Sequence, residues 1–284
     1  RCRAARPSPR TMTTVAPPAR TTGAKDHFVA QALVLSRRSI VRLARQPASW
    51  APAMVFPLLL CAVNASAMGR VARIPGVVPP GATFLMYLLP AAIVQGVLFG
   101  GINGGSELAT DIQTGFFDRL VSSPVSRPAI LVGRLGGAVV FGVVQTVVFQ
   151  LLLWPFGADV RGGLAGRLVL VVVAALLSLG TGALAAGLAA RTGQAEAVQG
   201  FFPLVFISLF LSSCFFPTAL MSGWYRQVAE HNPLTWMVDG MRTQVLVGFD
   251  AHDALVSIAV AGVIVVVGLW FATVQVRRRL KVAG

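Results

Sequence analysis

Residues 106–134 read SELATDIQTGFFDRLVSSPVSRPAILVGR, a polar stretch between two long apolar runs. It holds Glu107, Asp111 and Asp118, three of the ten acidic residues in the chain, with Arg119, Arg127 and Arg134. No charged residue occurs over 74–105 or over 135–158. Uncharged apolar runs of that length are membrane spans, and the polar stretch is a loop between two of them. Two readings of the loop stand at this point. It presents its charges to a partner, or its arginines only fix topology.

The local pattern predicts more than a solvated loop. Gly115 to Ser122 can form two helical turns at the membrane surface. Phe116, Phe117 and Leu120 then share one side at helical spacing, while Asp118, Arg119 and Ser122 face elsewhere. Such a segment keeps its aromatics at the bilayer interface and offers its charges to a cytoplasmic partner. Pro124 and Pro128 stop the helix, and Ser126 can begin the next element.

The residues Asp111, Gly115, Arg119, Leu120, Pro124 and Arg127, followed by Gly133-Arg134, spell acidic–x3–Gly–x3–Arg-Leu–x3–Pro–x2–Arg and a Gly-Arg pair. In order and in place between two spans, this resembles the first cytoplasmic loop of type 2 ABC exporter permeases. The overall look is closest to the drug- and antibiotic-resistance permeases of the daunorubicin type, over roughly residues 28 to 280. The resemblance implies that Asp111, Gly115, Phe116, Phe117, Asp118, Arg119, Leu120, Ser122, Pro124 and Arg127 couple the chain to an ATPase. It further implies two ATPase copies that bind ATP and Mg, no cofactor in this chain, and a second permease that is the same chain or a paralogue. The expected cargo is a hydrophobic or amphipathic compound: a drug, an antibiotic or a lipid.

Composition agrees with the spans. The chain is 55% hydrophobic and only 12% charged, about half the charge of a soluble domain, and its mean hydropathy is +0.74. A net charge of +14 on a soluble chain would suggest nucleic acid. Here the arginines sit at span ends, where orientation and anionic headgroups account for them, so the bilayer is expected as partner and nucleic acid is not. Cys2, Cys61 and Cys214 lie far apart, and His27, His231 and His252 form no sequence cluster, so no metal site is expected.

Taken in order, residues 1–26 read as a disordered basic tail with no signal-peptide core, and Met12 is a candidate start. Residues 27–284 are expected to form one transmembrane domain. Residues 27–50 pattern as an interfacial helix with Arg37, Arg38, Arg42 and Arg45 on its polar side. In the resembling family such a helix helps seat the ATPase. Six spans are predicted, over about 50–68, 83–105, 129–154, 164–190, 200–216 and 255–276. The glycines at 96, 100, 101, 104 and 105 permit close helix contact or a break where backbone meets a cavity, and close packing against a neighbouring helix is the expected use. Residues 191–199 form a short loop that can give a second, minor ATPase contact. Between the fifth and sixth spans, 217–249 reads as two short helices dipping into the outer leaflet. Asn232 is the expected cap of the second, with Pro233 at its first position. The resemblance places Asp239 and Arg242 in this external segment. The predicted fold is all-α and integral to the membrane.

Orientation follows from counting. With the N-terminus inside, the cytoplasmic segments from residue 27 carry Arg37, Arg38, Arg42, Arg45, Arg119, Arg127, Arg134, Arg191, Arg277, Arg278, Arg279 and Lys281. The external segments carry only Arg70, Arg73, Arg161, Arg167, Arg226 and Arg242. Both termini are therefore expected in the cytoplasm of a bacterial cell.

No Gly-x4-Gly-Lys-Ser/Thr loop occurs, so ATP hydrolysis is expected from a separate chain and this one is not expected to be an enzyme. No hydrolase motif appears, and no charge lies deep in a predicted span, which weighs against an ion-coupled secondary transporter. A polysaccharide-exporting permease, a secondary transporter and a membrane scaffold remain the rivals. Transport that survives ATP depletion would favour the second of these.

Overall fold

A computed structural model describes residues 36–37, 41, 45–70, 74, 78–116, 119 and 127–282. Regular structure among them is helical throughout: α1 (Pro47–Met68), α2 (Phe84–Gln113), α3 (Arg127–Leu153), α4 (Gly163–Thr192), α5 (Ala195–Gln199), α6 (Phe202–Phe210), α7 (Gly223–His231), α8 (Pro233–Leu246) and α9 (Ala251–Val282). Among the described residues five helices, α1 to α4 and α9, are long and apolar enough to cross a membrane. An all-α chain of this kind is an integral membrane protein.

Helix α2 is the axis of the bundle. It is buried along most of its length, whereas α1 and α9 are largely bare within the isolated chain. Thr83 caps its start, accepting from Met86 N at 3.2 Å. It runs eight residues past the predicted end at 105, because Leu108, Ala109 and Ile112 keep an apolar face against Ala185, Ala186 and Ala189 of α4. The glycine run is a close-contact seam. A methyl group on Gly101 would stand 2.3 Å from Thr181 Oγ1, and one on Gly105 would stand 2.3 Å from Ala185 Cβ. Helix α4 meets α9 in the same way, with Gly268 against the Gly180 carbonyl. Contact this close substitutes for the hydrophobic drive that lipid does not supply.

The predicted fifth span takes a different form. Helix α6 has nine residues, and Ala195–Phe210 is apolar but interrupted at Gly200. Beyond Phe210 the helix ends in turns, and side chains take over the released backbone groups. Ser212 Oγ donates to Leu209 O (2.6 Å), and Ser213 N donates to Thr235 Oγ1 (3.0 Å). Hydroxyls of this kind let irregular backbone persist inside a buried setting.

The bundle has two distinct ends. At one, the α3–α4 turn is tied to its neighbours. Thr83 Oγ1 donates to Gly157 O (3.2 Å), Arg161 donates to Leu246 O (2.9 Å) and Pro80 O (3.1 Å), and Gly162 N donates to Gln244 O (2.9 Å). At the other, the C-terminal ends of α2, α4 and α9 converge. There Arg279 donates to Ala190 O at 3.3 Å, and Gly193 sits beside both Ile112 and Arg279.

Candidate functional site

The second of these ends carries Asp111, Gly115 and Arg119. Helix α2 closes with Thr114, whose N–H and hydroxyl both donate to Thr110 O at 3.0 Å. Gly115 follows at φ +68°, in the left-handed region, and its N–H donates to Ile112 O at 3.1 Å. That reversal would strain a residue with a side chain by about 1–2 kcal/mol. The Gly115 carbonyl then accepts both from Arg119 N (3.3 Å) and from Arg119 Nε (3.4 Å). Phe116 and Arg119 beyond it are helical again, with Phe116 half-buried and Arg119 exposed.

Asp111 lies on the inward side of α2 and is 7% exposed. Arg119, by contrast, is exposed. Phe117, Asp118, Leu120, Ser122 and Pro124 lie outside the described residues, and Arg127 opens α3. Of the predicted interfacial helix, Ser36, Arg37, Val41 and Arg45 are described and helical, with Arg37 and Arg45 exposed; Arg38 and Arg42 lie outside. Ser36 packs at Gly136 of α3, where a methyl group would come within 2.4 Å of its Oγ.

The short 191–199 loop belongs to the same surface. Val198 of α5 is fully buried in the cluster of Ala109 and Ile112, so α5 lies against the last turns of α2. Arg191, Arg277 and Arg278 are exposed at this end. The ends of α4 and α9 and the short helix α5 thus meet the last turns of α2 just before Gly115.

The opposite end contains the other predicted residues. Asn232 caps α8 as expected: its Oδ1 accepts from Leu234 N at 2.9 Å, and Pro233 occupies the first turn. Its Nδ2 also donates to Ser208 O (2.8 Å) and Leu211 O (3.0 Å), which pins the α7–α8 corner to the end of α6. His231 makes a 2.8 Å contact from Nδ1 to Gln227 O, one turn back on α7. Asp250 Oδ1 accepts from Asp253 N (2.8 Å), and Thr243 donates to Asp253 Oδ2 (2.6 Å), so these two carboxylates, with His252 alongside, secure the α8–α9 corner.

Arg242 is the residue whose setting the sequence does not reveal. It is 6% exposed. Its Nε donates to Tyr87 O (3.2 Å), and its terminal nitrogens donate to Ser213 O (2.9 Å), to Ser213 Oγ (3.4 Å) and to Asp239 Oδ1. The guanidinium carbon lies 3.7 Å from the Tyr87 ring centroid. Ser213 Oγ donates to the same Asp239 oxygen at 2.8 Å. One guanidinium therefore joins α8, the start of α2 and the irregular backbone after α6. The Asp-x2-Arg spacing on one helix is a readable signal for the ion pair. Tyr87 and Ser213 carry no such signal.

The phenylalanines of the predicted fifth span form a continuous contact series. Ring centroids are 6.0 Å apart for Phe56–Phe99, 4.6 Å for Phe99–Phe202, 5.8 Å for Phe202–Phe206, 4.8 Å for Phe206–Phe210 and 4.7 Å for Phe210–Phe215. They join α6 to α1 and α2 by ring packing.

With these two ends described, the class of the chain is settled by comparison. Residues 30–246 match the ABC-2 type transporter family, and the chain belongs to it. Among its relatives, the daunorubicin resistance ABC transporter permease protein DrrB1 of Streptomyces coeruleorubidus is 34% identical over 155 residues, 54% of this chain and 54% of that one. The probable doxorubicin resistance ABC transporter permease protein DrrC of Mycobacterium tuberculosis is 26% identical over 215 residues, 76% of each chain. A putative transport permease, ycf38 of Porphyra purpurea, is 23% identical over 211 residues, 73% of this chain and 71% of that one. The match to the first of these thus spans about half of its length.

Proposed function

We propose that this chain is the membrane permease subunit of an ATP-driven exporter of hydrophobic or amphipathic compounds. The observation that carries the reading is the restarted helical turn at Gly115. It leaves Arg119 exposed just past the end of α2, within the part of the chain that matches the family. The resistance permeases among the relatives support a drug or antibiotic as cargo.

Two ATPase subunits hold ATP and Mg and dock on the Arg119 face, with Asp118 and Arg119 as polar contacts. Closure of the ATPase pair moves the turn, and the turn moves α2 and α3 as rigid bodies between inward- and outward-open states. The region 195–216 serves as the fifth of six crossings, and α7 and α8 enter the outer leaflet from outside. Both termini are cytoplasmic, and a second permease, the same chain or a paralogue, completes the pathway.

The test is recovery of the chain from gently solubilised native membrane. An ATPase subunit should accompany it and be lost when Asp118→Ala and Arg119→Ala are combined. Export that continues after ATP depletion, with the membrane gradient held constant, would overturn the reading.

A further inference from the structure

Helices α1 and α2 face each other through side chains at helical spacing. Pro57, Cys61 and Asn64 stand on one side of α1, and Ala91 and Gln95 stand on one side of α2. Between them, closed by Phe215 from the segment after α6, lies a cavity of about 10 Å³. Most of its wall is hydrocarbon. Gln95 is the exception on the α2 side. It is 1% exposed, and its Nε2 is buried with no hydrogen-bond partner among the described residues. Gln95 lies inside a span, where lipid offers nothing to an amide, so an unanswered donor there is a direct loss of stability.

We infer that this cavity holds one water molecule, bound to Gln95 Nε2 in the contact between α1 and α2. The volume sets the size. Roughly 10–15 Å³ is the least that admits a water, whereas a site enclosing an organic ligand needs about 300 Å³ or more. The chemistry sets the kind. Gln95 presents a donor, so the occupant must accept a hydrogen bond, which neither a cation nor an alkyl chain can do. The occupant's own hydrogens need acceptors, and the α1 side supplies them. Asn64 Nδ2 is committed to Leu60 O at 2.8 Å, which leaves its Oδ1 to receive, and the Cys61 sulfur is a weak second acceptor. Water both accepts and donates, so it answers Gln95 and the α1 wall together. The two spans are then joined by a molecule that can leave and return. The inference goes beyond the exporter reading and does not depend on it, since the site needs neither an ATPase nor a cargo.

The direct test is an electron cryomicroscopy map of the full chain in lipid nanodiscs, with an antibody fragment bound to add mass. An isolated density is expected about 2.7–3.2 Å from Gln95 Nε2. Elongated density of a lipid or detergent chain at that place, or none in a map that shows other buried waters, would overturn the inference. The second test is a double-mutant cycle read as the thermal midpoint in detergent. Ala91→Val adds bulk to the cavity wall and expels the water, so it should lower the midpoint by several degrees, the scale on which an orphaned donor is felt in a chain of this length. In a Gln95→Met background, with a side chain of similar length and no donor, the same change should lower it much less. Simple overpacking would act alike in both backgrounds, so equal losses in the two, or no loss in either, would count against the water.

Discussion

Gln145 of α3 fills the space that the missing side chain of Gly96 leaves on α2. A methyl group on Gly96 would stand 1.8 Å from Gln145 Nε2 and 2.7 Å from the carbonyl oxygen of Ala53 on α1. That carbonyl lies four residues before Pro57, which has no N–H to offer it. Three helices thus meet at a point where a glycine makes room for an amide next to a carbonyl that its own helix leaves unpaired.

Gly96→Ala is therefore expected to destabilise the protein by about 1–3 kcal/mol, the usual cost of overpacking, because the Ala53 oxygen among the obstructing atoms is backbone. The readout is the thermal midpoint of the purified chain in detergent. Shortening the partner, as in Gly96→Ala combined with Gln145→Ala, should return part of that loss. A double variant no better than the additive sum would mean that Gln145 is not what the methyl group strikes.

Arg242→Ala leaves Asp239 with one partner fewer, removes the guanidinium donor from Tyr87 O, and leaves Ser213 O with the Tyr87 hydroxyl alone of its two side-chain donors. A cost of about 2–3 kcal/mol is expected, below the figure for a fully buried pair because Asp239 is half exposed. Arg242→Lys should recover only a minority of it, since an ammonium cannot reach acceptors on three segments in one plane. Thermal midpoints of the two variants, compared with Asp239→Asn, check the order.

Gly115 has open space around it, so only its positive φ resists a side chain. Coupling, measured as permease-dependent stimulation of the co-purified ATPase, should fall in the order Gly, Asn, Ala, Val at this position, because Asn tolerates the left-handed region better than Ala and a β-branched residue tolerates it least. Membrane insertion should be unchanged across the series. Equal coupling by Gly115→Ala and Gly115→Val would show that the reversal of direction is not used.

Arg119→Glu reverses an exposed charge whose side chain, among the described residues, bonds to the Gly115 carbonyl of its own turn. The protein should insert and purify normally, while co-purification of the ATPase and export both drop by about an order of magnitude, the scale of replacing an interfacial attraction by repulsion. Export at the wild-type rate would remove Arg119 from the docking surface.

What could be read from the chain is what is local. Asn232-Pro233 announces a cap and a first turn, and both are found, because that chemistry is settled within three residues. The Gly96–Gly105 run announces close packing, but which helix approaches depends on residues such as Thr181 and Gln145 that lie far along the chain. The extension of α2 to Gln113 was hidden because Glu107 and Asp111 look like loop residues until Val198 and the α4 alanines are seen to cover Ala109 and Ile112. Arg242 read only as one of the charges of the external segment. Its acceptors, Tyr87 O and Ser213 O, are 155 and 29 positions away, and no periodicity links them.

Around 154–163 the turn is bonded to the start of α2, to Pro80 and to the end of α8. Those bonds give α2, α4 and α8 a common origin: the point where one helix begins is measured from the point where another ends. A change of length in any one of the connecting segments would therefore be felt by all three helices at once.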